Sequence, residues 1–268
     1  MQRICILTDN SSHYAQSSFP GNDLIKIIPF SHYGSRLEKF EKGSADIFHA
    51  QKKKIRNYLN ELTTQCGEIT IITSTKVLGP LPGILDKVID NLGNPRNIKV
   101  YDSRTTSVGL GILVQRTAEM ASRGAPSEDI DEFLRRSIPA VYSLLYLPDL
   151  NNLAKANFLS TAQAVVGEML GIQPVFSLEN DCLTPIRKVR SLRQVQLIFQ
   201  DFLDEFPDPY YAALVKADRR SPIFFKGGLN SRDPRTKRME ITMNSVLTDL
   251  FGSHAVGLFV AEGFQIKR

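Results

Sequence analysis

Hydroxyl side chains follow two apolar runs of this sequence and are the groups best suited to hold a small anion. Ser74 and Thr75 close the run that begins at Glu68, and Ser107 follows the run that begins at Ile98. A helical pattern starts at once at Ser107. Hydroxyl groups gathered beside a helix N-terminus suit a carboxylate or a similar anion. The alternative for Ser107 is that it serves only as a helix N-cap.

Alternating strands and helices in the first half of the chain must position these hydroxyls. The apolar patterns predict strands at 3–7, 24–29, 69–72 and 98–101, and helices at 44–62, 84–92, 107–122 and 127–137. This alternation is typical of a parallel sheet with helices on both faces. Open sheets of this kind bind ligands at the carboxyl ends of their strands. We therefore expect the hydroxyls to meet at that edge.

The pattern changes after Pro148, which predicts a second, mixed α/β domain. Helices are predicted near 149–154, 161–170, 191–206 and 245–251, a hairpin at 174–185, and strands at 212–215, 239–243 and 255–260. A chain of 268 residues is also longer than most single cores. We expect an N-terminal domain at 1–148 and a C-terminal domain at 149–268.

Composition indicates an ordinary globular protein. The sequence has no apolar stretch long enough to cross a membrane, and Asp9 interrupts the N-terminus before a signal-peptide core, so we expect a cytoplasmic location. The cysteines Cys5, Cys66 and Cys182 are widely spaced and follow no metal pattern. An odd number makes a poor disulfide framework, and Cys5 is expected to be a buried thiol.

Positive charge is concentrated at 216–238, where eight basic and two acidic residues give a net charge of +6. Since the whole chain carries +5, the remainder of the chain is close to neutral. One interpretation is a surface for nucleic acid, an acidic partner or anionic lipid headgroups. The other is a solvated loop, which is the commoner role of a charge run.

Four stretches together resemble the DegV family, bacterial lipid-binding proteins that hold one fatty acid. The stretch 7–11 is similar to the family's opening T-D-S turn, and 102–111 to its D-S-x-x-x-S-x-G-x-G motif. The stretch 162–174 resembles its A-Q-A segment, and 188–190 its K-V-R. The resemblance implies two α/β domains, the first with a parallel sheet, and an apolar tunnel for the acyl chain.

The resemblance also implies which residues hold the carboxylate. Ser107 matches the family's carboxylate-binding serine, and Ser74 matches a serine of the first loop. Pro80 stands where the family has a ligating threonine, and proline offers neither a hydroxyl nor an N–H. Thr73 and Thr75 are the candidates to take its place.

Two further parts of the family's site carry over less directly. Asn10 and Ser11 lie in the opening turn, with His13 beside them as a weaker candidate. Gly252-Ser253-His254 is similar to the family's G-T-H, which makes His254 a ligand candidate. An alignment on the last strand places Leu250 there instead.

One position of the family's partner surface also departs from the family pattern. Relatives that work with an acyl kinase carry an arginine before the A-Q-A segment, where this chain has Phe158, whereas Arg190 is retained as a partner-surface residue. The resemblance thus implies a fatty-acid ligand and makes a kinase partner doubtful.

Three functions remain open. The main interpretation is a non-catalytic carrier of a fatty acid or a related acyl or isoprenoid acid, with no other cofactor, no metal and no nucleic acid expected. The second is a small-molecule enzyme using Asp9 and Asp102 at strand ends, although these more often accept turn N–H groups. The third is a nucleic-acid or acidic-partner module that uses 216–238.

Overall fold

The structure is a computed structural model that describes residues 4–29, 40–93, 95–179, 181–207, 209–225 and 236–264. These residues form two compact units that divide between Pro139 and Ala140. The boundary predicted after Pro148 lies further along the chain. The difference arises from a strand that the sequence analysis did not predict, β5 (Val141–Tyr146), which pairs within the sheet of the second unit.

A parallel sheet forms the centre of the first unit, as predicted. In the described part of this unit the sheet has four strands in the order β2-β1-β3-β4, with all neighbouring pairs parallel. The strands are β1 (Ile4–Thr8), β2 (Ile25–Ile27), β3 (Glu68–Thr73) and β4 (Ile98–Asp102). Because β1, β3 and β4 are adjacent and parallel, the turns that follow them share one edge.

The helices of the first unit are α1 (Phe40–Gln65), α2 (Leu81–Asn91), α3 (Ser107–Ser122) and α4 (Ser127–Ser137). One core contains Cys5 and Leu7 of β1 together with side chains of α1 and α2, such as Ile55 and Leu85. Successive side chains of a strand point to opposite faces. The other face of β1 and β3 is therefore left for α3, which packs against both strands.

Burial explains the sequence of α3. Twelve of its residues are buried, including Leu110, Leu113 and Val114. A helix that is apolar on most sides is covered on most sides. Each fully buried aliphatic side chain of this kind contributes about 1.5–3 kcal/mol. The N-terminus of α3 is thereby held firmly at the carboxyl edge of the sheet.

The expectation of free, unpaired cysteines was wrong for two of the three. Cys5 in β1 and Cys66 after α1 form a disulfide, with their Cα atoms 5.9 Å apart, whereas Cys182 is exposed and free. Cys5 and Cys66 are both buried, as predicted for Cys5. An odd cysteine count argued against a framework, but only the fold shows that these two positions are adjacent.

The described part of the second unit contains a mixed sheet and four α-helices. Over its described residues the strand order is β7-β6-β5-β10-β8-β9, antiparallel except for the β8–β9 pair. Besides β5, the elements are α5 (Leu150–Lys155), α6 (Thr161–Met169), β6 (Gln173–Glu179), β7 (Cys182–Val189), α7 (Leu192–Asp204), β8 (Tyr211–Lys216), β9 (Lys237–Thr242), α8 (Ser245–Phe251) and β10 (Val256–Ala261). The predicted hairpin and mixed α/β class are confirmed.

Among the described residues, every helix is too short or too polar to span a membrane.

Candidate functional site

Three polar turns meet at the carboxyl edge of the parallel sheet, as the sequence predicted. The turns follow β1, β3 and β4. Backbone hydrogen bonds hold the second and third together beyond the strands: the Ser103 N–H donates to the Thr73 carbonyl at 3.0 Å, and the Thr75 N–H donates to the Thr105 carbonyl at 2.9 Å. The hydroxyl-rich segments are therefore parts of one site.

The carboxylate of Asp9 links the first turn to the second. Its Oδ1 accepts the backbone N–H of Ser11 at 2.9 Å, and its Oδ2 accepts the backbone N–H of Ser74 at 2.6 Å. Asp9 is only 1% exposed. A buried carboxylate needs such donors. Asp9 thus holds Ser11 and Ser74 beside each other, although Asp9 and Ser74 are 65 residues apart in the sequence.

Asp102 does the same for the second and third turns. Its Oδ2 accepts the Lys76 N–H at 3.2 Å and its Oδ1 accepts the Arg104 N–H at 2.8 Å. Arg104 has a φ of 55°, a left-handed conformation that a hydrogen-bonded turn supports. The two aspartates that the enzyme hypothesis selected both organise backbone here.

Ser107 contacts His13 rather than capping its own helix. The Ser107 Oγ lies 3.1 Å from Nδ1 of His13, and the His13 backbone N–H donates to the Ser107 carbonyl at 3.0 Å. Thr106 occupies the N-cap position, so the alternative that Ser107 is only an N-cap was wrong. Ser107 is buried and has a φ of 53°. A serine held in this conformation is costly and often marks a functional position.

A second hydroxyl pair lies beside the first. The Thr106 Oγ1 donates to the Ser11 Oγ at 3.2 Å, and both residues are completely buried. Together with Asp9, these contacts form a continuous hydrogen-bonded path from Ser74 through Ser11 to the start of α3.

Gly111 makes the approach of the first turn to α3 feasible. A Cβ atom at this position would lie 1.8 Å from the backbone oxygen of His13. Only a residue without a side chain lets the turn come this close. The second glycine of the segment Ser107-Val108-Gly109-Leu110-Gly111 therefore serves to place His13 against Ser107.

Three buried hydroxyls near this edge have no hydrogen-bond partner in the described part of the chain. They are those of Thr8, Thr73 and Thr105. By strand alternation, Thr8 lies on the α3 face, whereas Thr73 lies on the face covered by α1 and α2. An unpaired buried hydroxyl costs about 1–3 kcal/mol, so each marks a place where a bound group can donate or accept.

Burial lowers the pKa of His13 below its ordinary value of 6.5, and a backbone hydrogen bond with Ser11 only partly offsets this effect. Desolvation disfavours the charged imidazolium. At neutral pH His13 therefore carries one ring proton, and its Nδ1 can either accept the Ser107 hydroxyl or donate to its oxygen.

The remaining predicted ligands differ in their surroundings. Thr75 is buried, and its Oγ1 accepts the Val77 N–H at 3.3 Å. Asn10 is exposed. His254 belongs to the second unit, is exposed, and has its Nδ1 3.2 Å from the Ser253 Oγ. Leu250, the alternative to His254, is buried in α8.

Pro80 precedes α2 and is half-buried. It supplies no polar hydrogen where the resemblance implied a threonine. The contact of His13 with Ser107 was not predicted, because the two residues are 94 positions apart in the chain. The sequence held one signal for it, the glycine at 111.

The proposed partner-surface residues lie in the second unit. Arg190 is exposed between β7 and α7, and its backbone N–H donates to the Gln194 side chain at 2.8 Å. Phe158 is half-buried, and its N–H donates to the Leu153 carbonyl at 2.9 Å.

The basic segment 216–238 falls partly outside the described residues, which exclude 226–235. Lys216 is buried in β8 and forms a 2.7 Å ion pair with Glu240 of β9. The guanidinium of Arg238 lies over the Phe225 ring, with 5.6 Å between the guanidinium carbon and the ring centroid. These two basic residues pack against the sheet or its flank, which differs from the solvated loop that was one of the two interpretations of this segment.

Across the described ranges, no cluster of His, Cys, Asp or Glu side chains has a geometry that would hold a metal ion.

Comparison with known families gives a match over most of the chain. A family model described as "Uncharacterised protein, DegV family" matches residues 38–262. Protein DegV of Bacillus subtilis is 28% identical over 178 residues, which are 65% of this chain and 62% of that protein. The matched segment therefore spans less than two thirds of this relative's length.

Solved structures share the fold over nearly the full chain. A fatty acid binding DegV family protein from Streptococcus agalactiae has a TM-score of 0.75 at 15% identity and covers 98% of this chain and 100% of its own. The Streptococcus pneumoniae Fatty Acid Kinase (Fak) B3 protein, loaded with linoleic acid, has a TM-score of 0.68 at 13% identity, with coverages of 97% and 99%.

Proposed function

This chain belongs to the DegV family, and from this we propose that it binds a fatty acid or a related acyl acid and holds it without converting it. The carboxylate would lie at the three turns around Ser107, and the apolar tail would be the part of the ligand that is removed from water. Two structures with this fold are named as fatty-acid-binding or fatty-acid-loaded proteins, which supports the ligand class.

The observation that carries the proposal is the set of buried hydroxyls at the edge of the sheet. Ser11, Thr106 and Ser107 are buried within one hydrogen-bonded group, and the hydroxyl of Thr8 on the same face is without a partner among the described residues. A carboxylate is an acceptor with about four lone-pair sites. Binding it here would give these hydroxyls an acceptor and would stabilise the buried charge.

His13 can orient the Ser107 hydroxyl toward such a ligand. If Nδ1 of His13 carries the ring proton, it donates to the Ser107 Oγ, and the Ser107 hydroxyl hydrogen is then directed to the carboxylate. In the other tautomer the serine donates to Nδ1 instead. Because the burial of His13 favours the neutral ring, the choice between the two is a change of tautomer rather than of charge.

The backbone hydrogen bonds that the two aspartates accept favour a carrier role over catalysis. Asp9 and Asp102 each accept two backbone N–H groups, one on each carboxylate oxygen. These contacts position the turns and occupy both oxygens of each carboxylate. The proposal therefore assigns no catalytic residue and no cofactor, and treats the acyl acid as ligand.

The proposal includes no kinase step. Phe158 stands where kinase-competent relatives carry an arginine, and a half-buried phenylalanine cannot make the same ionic contact. Arg190 remains exposed for a partner of another kind. An anionic membrane surface as the source of the acyl acid also stays a hypothesis.

Mass spectrometry tests the proposal directly. The purified protein would be weighed under native conditions and then extracted with organic solvent. We expect one acyl acid for each chain, and the extract identifies its length. A protein that is empty and that also fails to take up added palmitate would contradict the proposal.

A matched pair of variants tests the site. Ser107→Ala should weaken palmitate binding by about 1–3 kcal/mol, the usual cost of losing one contact to a buried charge. Ser122→Ala removes a hydroxyl at the opposite end of α3, where it donates to the Glu119 carbonyl, and should leave binding unchanged. Equal binding by both variants would remove Ser107 from the site.

A further inference from the structure

A second cleft lies on the α1 and α2 side of the first unit, beside the loop that follows β3. Its volume is about 700 Å³. We call it the lysine cleft and define it by its lining residues, His49, Lys52, Lys76, Gly79, Pro80, Gly83, Ile84 and Lys87. The lysine cleft borders the loop that follows β3 and shares Lys76 and Pro80 with the region of the proposed acyl site, whereas Lys52 and Lys87 belong to α1 and α2, on the face of the sheet opposite Ser107 and α3.

Among the residues that the structure describes, the charged side chains that line the lysine cleft are all lysines. Lys52 of α1, Lys76 of the loop and Lys87 of α2 lie around it, and none of its described lining residues is an aspartate or glutamate. Within the described part of the chain, Lys52 and Lys87 form no ion pair. Like charges gathered around a concave surface raise the local concentration of anions.

The rest of the lining is apolar or lacks a side chain. Pro80 is half-buried and supplies apolar surface, whereas Ile84 is only 3% exposed, and no atom lies within 4 Å of where a Cβ of Gly83 would be. The first turn of α2 adds few free donors, because Pro82 has no N–H and the Ile84 N–H donates to the Pro80 carbonyl at 3.0 Å. The cleft therefore combines lysine cations with an apolar surface.

We propose that the lysine cleft binds a phosphate-bearing small molecule of about nucleotide size. Lysine ammonium groups bind phosphate as point charges. A volume of about 700 Å³ is within the usual range for small-molecule sites, which also combine apolar walls with a few charged groups. The apolar surface of Pro80 would contact the organic part of the ligand, and the lysines would contact its phosphates.

Calorimetric titration with ATP and with tripolyphosphate, both without divalent metal, tests the proposal. We compare the double variant Lys52→Gln/Lys87→Gln with the control Lys53→Gln/Lys54→Gln. The control removes the same charge from exposed positions of α1 outside the cleft. We expect the first pair to weaken ATP binding about tenfold or more, and the control by about twofold or less, since exposed charges act weakly at a distance.

The result that would overturn the proposal is equal weakening by both double variants, which would indicate unspecific attraction. Failure of ATP and tripolyphosphate to bind the unaltered protein at millimolar concentration would do so as well. ATP that binds as tightly as tripolyphosphate or more tightly supports contact with the apolar surface. ATP that binds far more weakly would contradict that contact.

A second variant and a separate readout distinguish this proposal from the proposed acyl function. Gly83→Leu fills the apolar part of the cleft at a helical position with open space, and should weaken ATP more than tripolyphosphate. The acyl acid extracted from Lys52→Gln/Lys87→Gln should equal that of the unaltered protein. Loss of the acyl acid with intact ATP binding would count against the proposed function alone.

Discussion

Ser107 and His13 hold each other through two hydrogen bonds across 94 residues of sequence. The Ser107 Oγ and His13 Nδ1 lie 3.1 Å apart, and the His13 N–H donates to the Ser107 carbonyl at 3.0 Å. The position of each residue therefore depends on the other. Any change in the charge or tautomer of His13 should alter the hydrogen bonding of the Ser107 hydroxyl, which we propose binds the acyl carboxylate.

Acyl binding should raise the pKa of His13. In the free protein, burial lowers this pKa below 6.5, and a carboxylate placed close by favours the charged ring. Affinity for palmitate should therefore increase as the pH falls toward the His13 pKa of the bound protein. NMR of the imidazole resonances with and without palmitate measures the change in pKa. The variant His13→Asn identifies the His13 signal. Its affinity for palmitate should also depend less on pH. An unchanged pKa on binding would separate His13 from the site.

The same residue makes a contribution to the pH dependence of folding. Because the folded-state pKa of His13 is below its ordinary value of 6.5, the unfolded chain takes up a proton first as the pH falls. Stability should then decrease below about pH 6.5. Urea unfolding at several pH values, compared with His13→Asn, would isolate this contribution. An identical pH profile for the variant would contradict it.

Substitution of Ser107 should separate backbone strain from binding. Ser107→Gly and Ser107→Ala both lack the hydroxyl, but only glycine adopts a φ of 53° without a steric cost. We expect the glycine variant to be more stable than the alanine variant by about 1 kcal/mol. Both should bind palmitate more weakly to the same extent. Urea denaturation and calorimetry distinguish the two effects, and equal stability would show that this serine is not strained.

Substitution by alanine at two glycines of the first unit should change the stability of the protein in opposite directions. Gly111→Ala places a Cβ against the His13 carbonyl oxygen, 1.8 Å away before relaxation, and should cost about 1–3 kcal/mol. Gly83→Ala meets no atom within 4 Å and should stabilise α2 by about 0.5–1 kcal/mol. Thermal unfolding of the two variants provides the comparison. A neutral Gly111→Ala would show that the first turn can move away from α3.

Reduction should destabilise the first unit. The Cys5–Cys66 disulfide joins positions separated by 61 residues, and a cross-link of this length contributes about 2–4 kcal/mol. Urea unfolding with and without dithiothreitol measures the effect. Cys5→Ala/Cys66→Ala should be insensitive to reductant, and Cys182→Ala should behave like the unaltered protein. A midpoint that does not change on reduction of the unaltered protein would rule out a stabilising bond.

The elements of the first unit were predictable because local patterns define them. Apolar runs that end in polar turns indicated the parallel strands, and the alternation of strands and helices indicated that helices cover the sheet. β5 (Val141–Tyr146) was not predicted because only the short helical turn Ile138–Ala140 separates it from the preceding helix. Its membership of the second unit depends on pairing with β10, a contact that no local pattern encodes.

The site was predictable in its location but not in its contacts. Parallel strands carry their carboxyl ends to one edge, so the grouping of Ser74, Thr75 and Ser107 followed from topology. The contact of His13 with Ser107 depends on the closeness of a turn to a helix, and the disulfide depends on the register of α1 against β1. Both require the packed structure, because each joins residues distant in the chain.

The placement of β5 and β10 has a consequence for how the protein folds during synthesis. These strands are neighbours within the second sheet, yet they come from the two ends of that unit's described sequence. The sheet cannot be completed until the last strand is available, whereas the strands of the first unit are translated earlier. Contacts between distant parts of a chain form slowly. During synthesis the first unit can therefore fold while β5 still awaits its partner strand.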